Sequence, residues 1–161
     1  MRYGRVQIQN KYGSEYLPLQ LPIAIQYWNG NWVNNSLDTC TSIVLSQFAW
    51  DFLPAGTTGR PNNLVACNSA LTVGGAAPNY TVNLTAPGAG RSGWSGIRLN
   101  LGAVASGNQC AAVGGAGPAA TTVSAPWLRY NWTGTPSPAD PSGRATFGVY
   151  RSPLIYRREN Y

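Results

Sequence analysis

The chain has 161 residues, of which only 10% are charged, and it contains 12 Pro and 19 Gly. This length suits one domain with a substantial core, while Pro and Gly spread along the chain exclude a long helix. The net charge is +6 and no histidine is present, which excludes Ser-His and Cys-His nucleophiles and removes the commonest metal ligand.

The first predicted elements are two strands with period-2 alternation. Residues 5–9 place Val6 and Ile8 on one face, and residues 16–27 carry a longer pattern of the same kind. Pro18 and Pro22 share one parity, so their missing N–H groups point toward the same neighbouring strand. This favours an edge position for residues 16–26, with one unpaired flank.

Asn29-Gly30 follows this strand and predicts a two-residue type I′ hairpin turn. With that turn, Trp32 lies opposite Tyr27 on the inward face and belongs to the core. Trp28 then points outward at the hairpin tip, opposite Asn31. Aromatic platforms bind sugars in many β-sandwich modules, so Trp28, Asn29 and Asn31 are the candidate ligand-binding residues.

The rest of the chain reads as further short strands and long loops. We expect at most one helical turn in residues 45–53, strands at 80–84, 97–101 and 126–132, and a C-terminal hairpin formed by 144–150 and 154–158. Residues 102–120 lack large apolar side chains and predict a long surface loop. The predicted fold is a two-sheet antiparallel β-sandwich with long Gly/Pro-rich loops, occupying residues 1–161 as one domain.

No pattern of catalytic or cofactor-binding residues is evident. Residues 88–93 match GxGxxG letter for letter, but they open a strand instead of a helix and no acid follows at the required distance. The five acids are isolated in sequence, which argues against paired-carboxylate chemistry and calcium loops. We therefore expect no enzymatic activity, no cofactor and no metal site.

Three cysteines allow one disulfide and leave one thiol. Cys40–Cys67 is the favoured pair because it tethers the least regular part of the chain, and Cys40–Cys110 is its rival. Their spacing does not match a zinc site.

Basic residues concentrate at the two ends of the chain. If the termini are neighbours in the fold, they form one basic patch that suits an acidic partner or an anionic envelope surface. Its candidate residues are Arg2, Arg5, Arg151, Arg157 and Arg158. Nucleic acid is not an expected partner, because no base-stacking aromatics are interleaved with these cations. No segment approaches the roughly 20 apolar residues of a membrane span.

Both ends of the chain resemble a known family. RYGRVQIQNKYGSEYLPLQLPIAIQYWNG, then DTCTS, and DPSGRATFGVYRSPLIYRREN near the end resemble the C-terminal domain of MshQ-like proteins. The resemblance covers residues 1–45 and 140–161 and includes Cys40 of DTCTS. It implies a Gram-negative protein encoded with the mannose-sensitive haemagglutinin type IV pilus, exported to the periplasm, outer membrane surface or extracellular pilus.

These observations lead to two functional hypotheses. The first is a non-catalytic structural, assembly or adhesion module at the end of a larger exported protein, with upstream domains or pilus components as partners. The N-terminus lacks an apolar signal region, so we expect the export signal to lie upstream in that parent. The alternative is a carbohydrate-binding module that uses the aromatic platform near Trp28.

Overall fold

The computed structural model of the chain describes residues 4–51, 63–102, 107–114, 117–130 and 139–148. These residues form two β-sheets that pack face to face. Nine strands lie in these ranges: β1 (Gly4–Ile8), β2 (Lys11–Gly13), β3 (Leu19–Trp28), β4 (Trp32–Asn34), β5 (Phe48–Asp51), β6 (Leu71–Ala76), β7 (Asn79–Leu84), β8 (Gly93–Leu99) and β9 (Ser142–Phe147). The helical segments of these ranges are two 3₁₀ turns, Leu45–Gln47 and Pro126–Leu128. The predicted all-β sandwich is confirmed.

One sheet has five strands and the other has four. The first runs β1-β3-β7-β6, with β4 paired to the end of β3, and the second runs β2-β9-β8-β5. The pair β2–β9 is parallel, whereas the prediction was of antiparallel sheets throughout. The turn-rich residues after β1 carry the chain across to the second sheet, where β2 pairs with β9 running in the same direction.

The core lies between the sheets and is supplied by alternate residues of each strand. In β3 the buried positions are Leu19, Leu21, Ile23 and Ile25, as its period-2 pattern predicts. The second sheet contributes Phe48, Trp50, Ile97, Leu99, Ala145 and Phe147. Because the odd-numbered residues of β3 are inside, its even-numbered side chains face outward.

β3 is a central strand, so the prediction of an edge at residues 16–26 is wrong. β1 pairs with residues 23–27 on one side, and β7 pairs with residues 19–24 on the other. Pro18 precedes the strand. Pro22 lies just beyond the last β1 pair, where its carbonyl accepts a hydrogen bond from the Gln9 N–H at 3.0 Å. Neither proline therefore interrupts a ladder, which explains why a central strand accommodates both.

The β3–β4 hairpin has a three-residue loop, so the predicted two-residue turn is wrong. Trp28 pairs with Trp32, and the Asn29 N–H donates to the Asn31 carbonyl at 2.9 Å. One additional loop residue shifts the return strand by one position and exchanges its faces. Trp32 is consequently half-buried on the outer face and does not belong to the core.

The later elements agree with the sequence analysis in part. The helical turn at Leu45–Gln47 and the strand β9, with Ala145 and Phe147 buried, confirm two predictions. The predicted strand at 126–132 is wrong where it is described, because Pro126–Leu128 forms a 3₁₀ turn with Leu128 buried. Residues 131–138 and 149–161, including the second strand of the predicted C-terminal hairpin, lie outside the described residues.

Cys67 and Cys110 form the disulfide, with their Cα atoms 5.1 Å apart, and Cys40 is an exposed free thiol. Both predicted pairs, Cys40–Cys67 and Cys40–Cys110, are therefore wrong. The reason lies in the loop at 107–114, which was predicted to run over the surface. It instead buries Gln109 and Cys110, and the Gln109 amide donates to the Ser46 carbonyl at 2.7 Å. That placement brings Cys110 to Cys67 across 43 residues of sequence.

Candidate functional site

The outer face of the five-stranded sheet carries a group of aromatic and cationic side chains, here called the aromatic cluster: Arg5, Trp28, Trp32 and Tyr130. The strand pairing brings Arg5, Trp28 and Trp32 together. Arg5 on β1 pairs with Gln26 on β3, and Trp28, two residues further along β3, pairs with Trp32 on β4. The ring centroids of Trp28 and Trp32 are 5.4 Å apart, and those of Trp32 and Tyr130 are 5.1 Å apart, both in edge-to-face geometry. Such pairs stabilise the arrangement beyond the area that they bury.

Arg5 is held at the centre of the aromatic cluster. Its guanidinium carbon lies 4.0 Å from the Trp32 ring centroid and 4.9 Å from that of Tyr130, within the range of cation–π attraction. Its Nε donates to the Gln26 Oε1 at 2.8 Å. Burial lowers the pKa of Arg5, and the interactions with Tyr130 partly offset that effect. Arg5 therefore stabilises the cluster by bridging two aromatic rings and an amide.

Trp28 lies at the exposed end of the aromatic cluster, with 49% of its surface accessible. The loop residues Asn29 and Asn31 are also exposed beside it. Asn34 extends this row of amides, because its Oδ1 accepts from the Gln26 Nε2 at 3.2 Å. Arg5, Gln26 and Asn34 thus form a chain of hydrogen bonds that leads from the cluster onto the open sheet.

A groove of about 450 Å³ begins at Asn34, and we call it the amide groove. β4 and β7 pair with the same side of β3, β4 with residues 26–28 and β7 with residues 19–24, and the groove opens between them. Its lining combines Ile23, Ile25 and Tyr80 with small or polar residues, which include Gln9, Pro22, Ala24, Ser36, Asn79 and Thr81. Amide and hydroxyl groups each donate and accept hydrogen bonds, so the groove offers both kinds of partner to a ligand.

The predicted ligand-binding residues therefore lie together at the hairpin tip, with Trp28 facing outward as expected. Trp32, Tyr130 and Gln26 are their neighbours in the structure, and no sequence pattern predicted this. A three-residue loop at Asn29-Gly30-Asn31 would have placed Trp32 on the outer face, but loop length is not evident from sequence. Tyr130 comes from a distant segment, and no local pattern signals its contact.

The predicted basic patch is largely outside the described residues. Arg2, Arg151, Arg157 and Arg158 lie there, and only Arg5 is described. Arg5 donates a hydrogen bond to Gln26 and lies against the rings of Trp32 and Tyr130, so its guanidinium contributes to the aromatic cluster.

Asp38 organises the DTCTS loop. Its Oδ1 accepts hydrogen bonds from the N–H groups of Cys40 and Thr41, both at 2.9 Å, and its Oδ2 accepts one from the Thr41 hydroxyl. Burial opposes the charge of Asp38, but these hydrogen bonds outweigh it and lower the pKa of the carboxyl. Asp38 therefore stabilises a turn. In the described ranges, no group of three or more His, Cys, Asp or Glu side chains is placed to hold a metal ion.

Comparison with known proteins yields one match. Residues 2–160 match the model of a protein family described as DUF6701, fourth domain. Searches of curated proteins and of solved structures found no match. No helix among the described residues has the length and apolar character needed to cross a membrane.

Proposed function

We propose that this chain, which belongs to the family of DUF6701 fourth domains, is a non-catalytic saccharide-binding module of an exported bacterial surface protein. The site is the outer face of the five-stranded sheet, where the paired residues Gln26 and Asn34 lie between Trp28 and the amide groove. The family description, a fourth domain, supports a place within a larger protein.

The observation that carries this proposal is the continuity between an exposed indole and a polar groove. A sugar ring presents an apolar C–H face and a rim of hydroxyls. Trp28, 49% exposed, offers a flat apolar surface for the first. Asn34 and the amide groove offer donors and acceptors for the second. A groove with convergent polar groups and an exposed aromatic ring on the same sheet face suits small-molecule recognition.

The chemistry of the site supports binding without catalysis. The chain has no histidine, and among the residues that the structure describes, none that lines the amide groove is a carboxylate. General acid–base catalysis of glycoside cleavage requires a pair of carboxylates beside the bound sugar.

Export to an oxidising compartment is part of the proposal. The Cys67–Cys110 disulfide supports it, since disulfides persist mainly outside the reducing cytosol. The resemblance of both chain ends to MshQ-like proteins supports a type IV pilus setting.

A second candidate is a structural or assembly role in the same setting. An apolar groove of about 320 Å³ supports it, lined by Cys40, Ile43, Val123, Ala125, Trp127 and Leu128. Trp127 is 66% exposed there, and exposed apolar surface of this kind often marks an interface with another domain. Deleting the domain from its parent and measuring pilus assembly and adhesion tests this role; unchanged assembly and adhesion would exclude it.

The saccharide proposal is tested with a glycan array followed by titration of the best-bound neutral glycan. Trp28→Ala is expected to weaken binding about tenfold or more, because a stacked aromatic ring contributes on the order of 1–2 kcal/mol. Trp127→Ala is the matched control, since it removes another exposed indole outside the site. No bound glycan for the wild-type protein, or equal losses in both variants, would contradict the proposal.

A further inference from the structure

The outer face of the four-stranded sheet holds a second group of exposed and half-buried side chains, on the other sheet from the amide groove. The inward positions of β8 and β9 are buried, which leaves the alternate residues outside. On β8 these are Trp94, Gly96 and Arg98, and on β9 they are Ser142, Arg144 and Thr146.

Gly96 creates a groove in the middle of this face. It pairs with Arg144 and has no side chain of its own, so the space between Trp94 and Arg98 stays open. The groove measures about 330 Å³ and also contacts Asn10 and Ser142. We call it the arginine groove.

Arg144 forms one wall of the arginine groove. Its backbone N–H donates to the Asn10 Oδ1 at 2.7 Å, which holds the strand in place. Its guanidinium carbon lies 5.2 Å from the Trp94 ring centroid, so the cation rests against an aromatic face. The residue is nevertheless exposed, with its charge directed to solvent.

Two cationic residues on the central strands of this sheet, Arg98 on β8 and Arg144 on β9, line the groove and favour a negatively charged ligand. In the register of the sheet, the acidic residue Asp51 of β5 pairs with Gly96 on the side away from Arg144. Beyond them, Thr146 separates Trp94 from Tyr12, which is 79% exposed. The face thus combines cations with aromatic rings.

We propose that the arginine groove binds an anionic saccharide, with Arg144 contacting the acidic group and Trp94 contacting the sugar ring. A guanidinium presents paired N–H donors that match the two oxygens of a carboxylate or the oxygens of a sulfate. Aromatic rings nearby supply the apolar surface that a sugar ring requires. This site differs from the amide groove in both its face and its ligand charge, and it does not depend on the saccharide proposal made for Trp28.

The experiment measures binding of polygalacturonate oligomers and of dextran sulfate by titration calorimetry. Methyl-esterified oligomers and plain dextran serve as uncharged counterparts of the two probes. Arg144→Ala is compared with Arg91→Ala, which removes an exposed arginine elsewhere and matches the change in net charge. Trp28→Ala reports on the other face, and circular dichroism confirms that each variant is folded.

Binding of either anionic probe, at least tenfold weaker in Arg144→Ala and nearly unchanged in Arg91→Ala and Trp28→Ala, supports the proposal. A tenfold loss matches one hydrogen-bonded charge contact. The probe that binds identifies carboxylate or sulfate as the acidic group. The proposal is overturned if neither probe binds, if the uncharged counterparts bind equally well, or if Arg91→Ala weakens binding as much as Arg144→Ala. Loss of anionic binding in Trp28→Ala alone would place the ligand on the other face and also overturn it.

Discussion

Asp38 shows how one side chain orders a loop that has no regular secondary structure. Its carboxylate accepts three hydrogen bonds from Cys40 and Thr41, so the backbone N–H groups of these two residues are satisfied without a strand partner. The loop in turn presents the Cys40 thiol to solvent. The same hydrogen bonds favour the charged form of Asp38, which lowers its pKa.

This lowered pKa predicts a pH-dependent contribution to stability. The contribution is fully present above the ordinary carboxyl pKa of about 3.9 and is lost as the pH falls through the lower folded value. Asp38→Ala is therefore expected to unfold at lower denaturant than wild type at pH 7, and the difference should shrink near pH 2. Urea unfolding at both pH values measures this. Thr39→Ala, an exposed neighbour, is the control, and an equal effect of Asp38→Ala at both pH values would contradict the assignment.

At the scale of elements, the β3–β4 hairpin decides which aromatic residues share the outer face. Its three-residue loop pairs Trp28 with Trp32, which brings the two indoles into contact and places Trp32 beside Arg5. Gly30 makes this loop possible, since its φ of 78° lies in the left-handed backbone region that residues with a Cβ atom rarely adopt.

Gly30→Ala is expected to destabilise the protein by about 1 kcal/mol for this conformational reason alone. No atom lies within 4 Å of the Cβ that alanine adds, so a steric clash does not contribute. Gly30→Asn is the matched variant and should cost less, because asparagine tolerates the left-handed region. Chemical denaturation of the three proteins measures the difference. Equal stability of wild type and Gly30→Ala would show that the loop adopts another conformation.

At the scale of the whole molecule, the Cys67–Cys110 disulfide ties two irregular segments together. One precedes β6, and the other buries Gln109 against the Ser46 carbonyl. Cys110 also accepts a backbone hydrogen bond from Leu71 at 2.8 Å, at the start of β6. The bond therefore secures a long loop that has little apolar surface of its own.

Removing this disulfide is expected to lower the free energy of unfolding by about 4 kcal/mol, as the chain-entropy model predicts for a separation of 43 residues. The comparison is between wild type and the double variant Cys67→Ala, Cys110→Ala in denaturant titrations. Cys40→Ala is the control and should change stability by less than about 0.5 kcal/mol, because Cys40 is exposed. A non-reducing peptide map that found Cys40 in the intramolecular bond would contradict the assignment.

The local patterns of the chain determined the fold class and much of the core. Alternation in β1, β3 and β9 predicted which residues are buried, because a strand places successive side chains on opposite faces. It also predicted that Trp28 faces outward. These features depend on neighbours in sequence, so the sequence by itself was sufficient to find them.

Only the tertiary structure decided which segments meet. The parity of Pro18 and Pro22 predicted an edge strand. The pairing of β1 with β3 stops at Ile23, however, so Pro22 needs no N–H partner there, and where that pairing stops is set by the length of β1. Cys110 finds Cys67 because its loop folds inward, and Tyr130 reaches Trp32 from a distant segment. Strand partners, hairpin register and disulfide pairing depend on contacts between residues far apart in sequence, whose energies no local pattern expresses.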